Sequence, residues 1–357
     1  MTRLHDTTYR GFASDNYAGV HPEVLTALAE ANGGHQIAYG EDQYTARLAE
    51  VVRAEFGEQA EVVPVFNGTG ANVLALTALM PRWGAIIASG TAHIHTDEGG
   101  APERVSGLKL FTVPTPDGKL TPDLIATEAF GWGDEHRAQP LAVSITNTTE
   151  LGTLYTPDEV RAIAEYSHAH GMALHLDGAR VWNAAAALGT SLREFTADAG
   201  VDILSLGGTK NGLLGAEAIV VIDPSKAPGL VYLRKMNMQL ASKMRFLSAQ
   251  LLTLFEGGLG IRSAARANAM AARLRAGLER MLASGEVPAE SLGFSQATEA
   301  NAVFALLDTA VADRIRERVR FYDWDRSRGE LRWMCAFDTT EADVDAFIEI
   351  VRDELTR

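Results

Sequence analysis

The 357-residue chain is acidic, with 46 Asp and Glu against 32 Lys and Arg and a formal net charge of −14. A surface of that sign repels nucleic-acid phosphates and anionic lipid headgroups, which argues against both as partners. One cysteine, Cys335, excludes an internal disulfide, and no Cys or His spacing predicts a metal site. The N-terminus has no signal-peptide pattern and no apolar run is long enough to cross a bilayer, so we expect a cytoplasmic protein.

The first two-thirds of the chain alternates between predicted strands and helices. Residues 1–20 read as an irregular arm, one helix starts at Pro22 and ends before the Asn32–Gly34 turn, and a second follows Tyr44. Strands are then predicted at 61–66, 85–89, 108–113, 141–146, 172–176, 203–206 and 218–222, and helices at 70–80, 157–170 and 182–188. This alternation is typical of an α/β domain with a mostly parallel sheet.

The pattern changes near residue 245. Long helical stretches cover 245–284, and shorter strands at 302–306, 321–324 and 331–336 precede a last helix at 341–354. This part of the sequence predicts a smaller α+β domain, in keeping with a chain longer than one core usually holds. The predicted division is therefore an arm at 1–20, a large domain at 21–245 and a small C-terminal domain at 246–357.

A glycine-rich turn, Asn67–Asn72, lies between a predicted strand and a predicted helix. Glycines let the backbone approach an anion, and a helix N-terminus offers free N–H groups. A turn of this kind also occurs as a mere tight connection, and this one lacks both the Walker lysine and the GxGxxG spacing of nucleotide sites. Both interpretations stay open on the sequence of the turn alone.

Asp177 and Lys210 each follow a predicted strand, with one helix-plus-strand unit between them. Open α/β sheets bind ligands at this edge, so we expect the two side chains to lie at the same edge of the sheet. The Asp177 carboxylate can pair with a protonated heterocyclic nitrogen, or instead with Arg180 in an ion pair that caps the strand. Lys210 can be a solvated surface residue, but in an apolar cavity its amine pKa falls, which suits Schiff-base chemistry.

The polar segment 92–100 follows another strand and is predicted to be a loop. The imidazole of His93 could stack on a flat cofactor ring. His93 and His95 are separated by one residue in a predicted loop, which is weak evidence for metal binding. Cys335 lies among apolar residues and is interpreted as buried packing rather than a nucleophile.

Several short motifs occur in a familiar order and spacing. They are Ser14–Asn16, Tyr39–Asp42, His93–Ile94, Asp177–Arg180, Thr209–Lys210 and the stretch 241–249. Over roughly residues 11–340 the chain resembles the low-specificity L-threonine aldolase and phenylserine aldolase branch of the fold type I enzymes that use pyridoxal 5′-phosphate (PLP). The resemblance implies the transferase-like α/β fold of that class, with a mostly parallel sheet in the large domain and a smaller α+β C-terminal domain.

The resemblance also implies a role for individual residues. Lys210 would form a Schiff base with PLP, Asp177 would pair with the pyridine nitrogen, and His93 would stack on the ring. The other implied positions are Gly68, Thr69 and Thr209 at the phosphate, Arg180 and Arg332 at the substrate carboxylate with Ser14 assisting, Tyr39 at the substrate, and Arg245, with Lys243 beside it, reaching the phosphate of a neighbouring subunit.

The sequence departs from the family pattern at the proton-handling position. Many members carry a Thr-His-Asn motif there, whereas this chain reads Asn147–Glu150. The candidate groups are Asp97, which we place first, His95 and Glu150.

The expected activity is cleavage of a β-hydroxy-α-amino acid, of the L-threonine, L-allo-threonine or phenylserine type, to glycine and an aldehyde. The resemblance implies a homo-oligomer, either a dimer or a dimer of dimers. An alternative keeps PLP but changes the reaction to that of another amino-acid lyase, a racemase or an aminotransferase. A more distant alternative is a non-catalytic nucleotide-binding α/β protein that uses the Gly68–Gly70 turn.

Overall fold

The chain forms two compact units in a computed structural model that describes residues 4–357. One unit is Val20–Arg262, and the other combines the residues up to Gly19 with Ser263–Arg357. The part of the predicted arm before residue 4 lies outside the described residues. The domain limits predicted from the sequence stay a prediction; the larger unit extends past residue 245 because the helix that begins there packs against its first two helices.

The larger unit is built around a seven-stranded sheet. Its strands are β1 (Glu61–Val65), β2 (Gly84–Ser89), β3 (Lys109–Val113), β4 (Gln139–Thr146), β5 (Ala173–Gly178), β6 (Ile203–Leu206) and β7 (Glu217–Val221). They lie in the order β1-β7-β6-β5-β4-β2-β3, and β7 is antiparallel to both neighbours while all other pairs are parallel. The predicted α/β fold with a mostly parallel sheet is confirmed.

Helices accompany the strands in chain order. They are α1 (Pro22–Ala31), α2 (Gln43–Phe56), α3 (Gly68–Leu79), α4 (His93–Thr96), α5 (Ala101–Ser106), α6 (Pro122–Ala126), α7 (Pro157–Ala169), α8 (Val181–Leu188), α9 (Leu230–Met236) and α10 (Arg245–Phe255). Every residue of β2, β5, β6 and β7 is buried, as expected of strands covered on both faces.

One prediction about local structure is wrong. The segment 92–100 is not simply a loop, because α4 begins at His93 and the chain turns into α5 through Gly99 and Gly100, whose φ angles are 60° and 72°. The long helical stretches predicted over 245–284 are present as α10 and α11 (Leu259–Ser284), and Gly257, with a φ of 73°, separates the two. A positive φ favours glycine and ends helical hydrogen bonding.

The smaller unit has a four-stranded antiparallel sheet. Its strands are β8 (Gly293–Phe294), β9 (Ala302–Leu306), β10 (Tyr322–Asp325) and β11 (Glu330–Met334), in the order β10-β11-β9-β8, and its last helices are α12 (Thr309–Arg318) and α13 (Glu341–Leu355). Its core contains Trp333, Phe347 and Phe12, whose ring stacks on Phe347 at 4.4 Å. Cys335 is buried in this core, as predicted. Among residues 4–357, no helix is long and apolar enough to cross a membrane.

Candidate active site

A cleft opens at the carboxyl ends of the central strands of the larger unit. The register pairs Thr146 with Asp177 and Asp177 with Ser205, so β4, β5 and β6 end side by side. Seven of the residues predicted from the sequence line this cleft, namely Gly68, Thr69, His93, Glu150, Asp177, Arg180 and Lys210. The expectation that Asp177 and Lys210 share one edge of the sheet is confirmed.

The Asp177 carboxylate is buried at the end of β5 and accepts two hydrogen bonds. The Asn72 side chain donates to Oδ2 at 2.8 Å, and the backbone N–H of Ala179 donates to Oδ1 at 3.0 Å. These donors fix the plane of the carboxylate at the rim of the cleft. A carboxylate held in this way can accept a hydrogen bond from a protonated ring nitrogen.

A second carboxylate, Glu98, links this group to His93. The amide nitrogen of Asn72 donates to Glu98 Oε1 at 2.8 Å, and His93 Nδ1 lies 2.9 Å from the same oxygen. The hydrogen bond with Glu98 raises the pKa of His93, and burial opposes part of that increase. A continuous chain of hydrogen bonds therefore joins Asp177, Asn72, Glu98 and His93.

Lys210 lies in a tight 3₁₀ turn, Thr209–Asn211, which begins three residues after the end of β6. The chain needs a glycine at position 207, just before this turn, because a Cβ there would collide with the carbonyl of Ala179. The carboxylate of Glu217, at the start of β7, accepts the N–H of Gly208 at 2.8 Å and the N–H of Thr209 at 3.2 Å. Burial raises the pKa of Glu217, and these hydrogen bonds oppose the increase.

The glycine-rich turn places the N-terminus of α3 on the cleft. Asn67 caps the helix, since its Oδ1 accepts the N–H of Gly70 at 2.7 Å. Gly68 and Thr69 line the cleft, and a Cβ at Gly68 would meet nothing within 4 Å. Free N–H groups and the positive end of a 12-residue helix beside open space make a suitable cradle for a phosphate.

Glu150 is the candidate proton-handling group that lines the cleft. Its Oε1 accepts the backbone N–H of His93 and the hydroxyl of Thr146, both at 2.9 Å. Its Oε2 is buried and has no hydrogen-bond partner among the described residues. Burial, with a smaller contribution from Asp177, raises the pKa of Glu150. His95 and Asp97 are exposed and are not among the residues that line the cleft.

The other predicted site residues lie outside the cleft lining. Arg245 donates from Nη1 to the carbonyl of Gly34 at 3.2 Å, and the ring of Tyr39 lies beneath the Lys235 ammonium at 5.3 Å. Ser14 and Arg332 belong to the smaller unit, where Ser14 accepts the N–H of Asn16 at 3.2 Å and the Arg332 guanidinium lies 5.4 Å from the ring of Trp324. Among residues 4–357, no group of three or more His, Cys, Asp or Glu side chains is arranged to hold a metal ion.

The sequence reasoning gave no role to several polar residues of the cleft, among them Asn72, Glu98 and Glu217. Asn72 and Glu98 lie inside the motifs that were singled out, but their contacts depend on the folded chain. Glu217 carried a usable signal, because an acidic residue opens the otherwise apolar strand β7. A carboxylate inside such a strand is costly unless hydrogen bonds compensate it.

Comparison with known proteins agrees with this geometry. Residues 11–295 match the family model described as beta-eliminating lyase. The chain belongs to the beta-eliminating lyase family. It is 45% identical over 344 residues to the low-specificity L-threonine aldolase of Pseudomonas aeruginosa, covering 96% of each chain. It is 44% identical to the enzyme of the same name from Pseudomonas sp., covering 93% of this chain and 94% of that one.

Solved structures extend the comparison to the fold. The threonine aldolase of Leishmania major superposes with a TM-score of 0.88 at 29% identity, covering 96% of this chain and 99% of that one. Mouse CSAD, at 17% identity and a TM-score of 0.71, shares the fold alone. The predicted fold type I architecture is confirmed.

PLP is the cofactor of the beta-eliminating lyase family, and the cleft fits each of its parts. Lys210 would supply an amine for covalent attachment, and Asp177 would supply an anionic partner for the ring nitrogen. The N-terminus of α3 supplies donors for the phosphate. His93 supplies a flat ring that is held in place by Glu98.

Proposed function

We propose that this chain is a PLP-dependent aldolase that cleaves a β-hydroxy-α-amino acid of the threonine type to glycine and an aldehyde. The observation that carries the proposal is the arrangement of Lys210 and Asp177 at one edge of the sheet, in a chain whose full-length relatives are low-specificity L-threonine aldolases. We propose Lys210 as the attachment point and Asp177, His93, Gly68, Thr69 and Thr209 as further cofactor contacts.

Bound PLP supplies an electron sink that stabilises the carbanion left at Cα when the Cα–Cβ bond breaks. Asp177 favours this chemistry by holding a proton on the ring nitrogen. Asn72 keeps the Asp177 carboxylate in its plane, so the proton is held at a fixed position. His93, which lines the same cleft, would stack on the ring.

We propose that Glu150 accepts the proton of the substrate hydroxyl. Cleavage requires that the hydroxyl lose its proton as it becomes the aldehyde oxygen. Oε2 of Glu150 is buried and without a hydrogen-bond partner among the described residues, whereas Oε1 is already bound to His93 and Thr146. The raised pKa of Glu150 brings this group closer to the neutral range in which general bases work well.

We propose that Arg180, which lines the cleft, binds the carboxylate of the substrate. An arginine fork binds a carboxylate at two points and so fixes the direction of the other bonds at Cα. Which of those bonds breaks depends on its alignment with the π system, so Arg180 would set the reaction type as well as affinity. We keep Arg332, Ser14 and Tyr39 as further proposed contacts of the substrate.

We also propose that the enzyme is a homo-oligomer, a dimer or a dimer of dimers, in the cytoplasm. Large apolar side chains in and after α9 are exposed, with relative exposures of 75% for Tyr232, 74% for Met236 and 81% for Met238. Tyr39 lies near them through its contact with Lys235. Side chains of this size and exposure are typical of surfaces that a partner covers, and Arg245 would then approach the neighbouring phosphate.

The test of the activity is a product assay on the purified protein with added PLP. L-threonine, L-allo-threonine and L-phenylserine are each incubated with it, and glycine and aldehyde are quantified together. The proposal requires equal amounts of the two products from at least one substrate. Amino transfer that depends on a keto acid, without aldehyde, would instead support the aminotransferase alternative.

A further inference from the structure

Glu217 is a buried acidic residue that the assigned chemistry does not use. It is the first residue of β7, whose other four residues are apolar, and it lines the cleft beside Lys210. Burial of a carboxylate costs several kcal/mol unless hydrogen bonds or charges compensate it. The hydrogen bonds of Glu217 therefore indicate its structural role.

Both oxygens of Glu217 bind the same turn of backbone. Oε2 accepts the N–H of Gly208 and Oε1 accepts the N–H of Thr209, so the carboxylate bridges two consecutive peptide groups. The backbone of Gly208 is closely packed, because a Cβ there would lie 2.5 Å from the carbonyl oxygen of Ala216 and no side chain would fit. The next residue after this bridge is Lys210.

We propose that Glu217 is a positioning residue for Lys210: it fixes the Gly208–Thr209 turn, and its negative charge favours the protonated form of the lysine nitrogen. This inference rests on the proposed function, in which Lys210 carries PLP. In this role the buried carboxylate of Glu217 holds the backbone of the turn through two hydrogen bonds from N–H groups that would otherwise lack a partner.

The charges around Lys210 come from several elements. On the helical side, His93 and Glu98 lie in and after α4, and Arg180 precedes α8. On the sheet side, Glu150 follows β4, Asp177 lies near the end of β5 and Glu217 begins β7. The pKa of His93 is raised by its hydrogen bond with Glu98 and that of Glu217 is raised by burial, and the charge of Lys210 opposes part of each increase. Glu217 differs from the other carboxylates because it alone also binds the backbone of the lysine turn.

The deciding variant is Glu217→Gln, which keeps the shape of the side chain. In the amide an NH2 group replaces one of the two oxygens and cannot accept a hydrogen bond, so the bridge in which each oxygen accepts one N–H is lost. Apo protein is titrated with PLP, and we expect the dissociation constant to rise about tenfold. We also expect the pH at which the bound cofactor loses its proton, followed by absorbance, to move downward, and kcat for amino-acid cleavage to fall with little change in KM.

Two further variants separate positioning from general stability. Glu354→Gln changes another buried glutamate, in the smaller unit, and controls for the loss of a buried charge. Glu217→Asp keeps the charge but shortens the side chain, so we expect weaker PLP binding with an unchanged pH midpoint. If Glu217→Gln fails to fold, the binding of PLP by Glu217→Asp decides the question.

The inference is overturned if Glu217→Gln matches Glu354→Gln in PLP affinity and in the pH midpoint, or if folded Glu217→Asp binds PLP like the wild type. Failure of the proposed function would look different. In that case the wild-type protein itself would show no absorbance of lysine-bound PLP, whatever residue stands at position 217.

Discussion

The residues that line the cleft include four carboxylates, Glu98, Glu150, Asp177 and Glu217, around Lys210. Each accepts at least one N–H donor, and the donors differ in kind. Asp177 and Glu98 share the amide of Asn72, whereas Glu150 and Glu217 bind backbone N–H groups. Four groups of one chemical type can therefore serve different purposes, because each carboxylate binds a different set of neighbours.

The first prediction concerns Glu150→Gln, which removes the proposed proton acceptor. We expect kcat for threonine cleavage to fall about 10²-fold, as for the loss of a general base. Because burial raises the pKa of Glu150, the acidic limb of the wild-type pH–rate profile should lie above the ordinary value of 4.5 and should vanish in the variant. The matching variant Asp97→Asn tests the candidate that the sequence analysis placed first. Loss of turnover in Asp97→Asn with retention in Glu150→Gln would reverse the assignment.

The second prediction concerns the pair of Glu98 and His93. In Glu98→Gln the hydrogen bond that raises the pKa of His93 is lost while burial remains, so the pKa should fall. An NMR titration of the imidazole measures this value, and Glu103→Gln, at an exposed glutamate on α5, should leave it unchanged. An unchanged pKa in Glu98→Gln would show that another group sets it.

The same pair implies a dependence of stability on pH. A histidine with a raised pKa in the folded state stabilises the protein fully below its ordinary pKa of 6.5. That contribution is lost as the pH rises through the raised value. The difference in melting temperature between wild type and Glu98→Gln should therefore shrink on going to alkaline pH.

At the scale of elements, the ends of β5 and β6 approach each other closely beside the lysine turn. A Cβ at Gly207 would collide with the backbone of Ala179, whereas a Cβ at Gly215 would meet nothing within 4 Å. We expect Gly207→Ala to lower the free energy of unfolding by about 2 kcal/mol or more, since backbone must move to admit the methyl group. Gly215→Ala should change it by less than about 0.5 kcal/mol. Equal stability of the two variants in denaturant unfolding would contradict the close approach.

The elements themselves were largely predictable from the sequence. Strands 203–206 and 302–306 were placed to the residue, because short, largely apolar runs are typical of buried strands. The parallel register then brings Asp177 near Ser205 without further information. Helix α4 was not predicted, because four residues are too few to show helical periodicity.

The finer contacts of the site could not be predicted for a different reason. Asn72 reaches Asp177 across 105 residues of chain, and Thr209 reaches Glu217 only because β7 runs back antiparallel beside β6. Such pairs follow from the packed tertiary structure, and local propensity contains no trace of them. The motifs indicated the residues that we propose as cofactor contacts, while the hydrogen bonds that hold those residues in place emerged from the fold.

At the scale of the whole molecule, the proposed oligomer makes a prediction about mass. The chain has a mass of 38.4 kDa, and we expect sedimentation to give at least twice that value. Met238→Glu should shift the distribution towards the monomer, because a charge in an apolar interface is costly. Val105→Glu, at an exposed valine on α5, should not. A wild-type monomer at micromolar concentration would contradict the oligomer.

The central claim is that Lys210 holds PLP and makes cleavage possible. The measurement that tests it most directly compares wild type with Lys210→Ala after incubation with PLP, recording visible absorbance and aldehyde release from L-threonine and L-phenylserine in the same cuvette. We predict that the wild type shows the absorbance of lysine-bound cofactor and releases aldehyde, and that the variant does neither. A Lys210→Ala protein that keeps both the absorbance and the turnover would contradict the account.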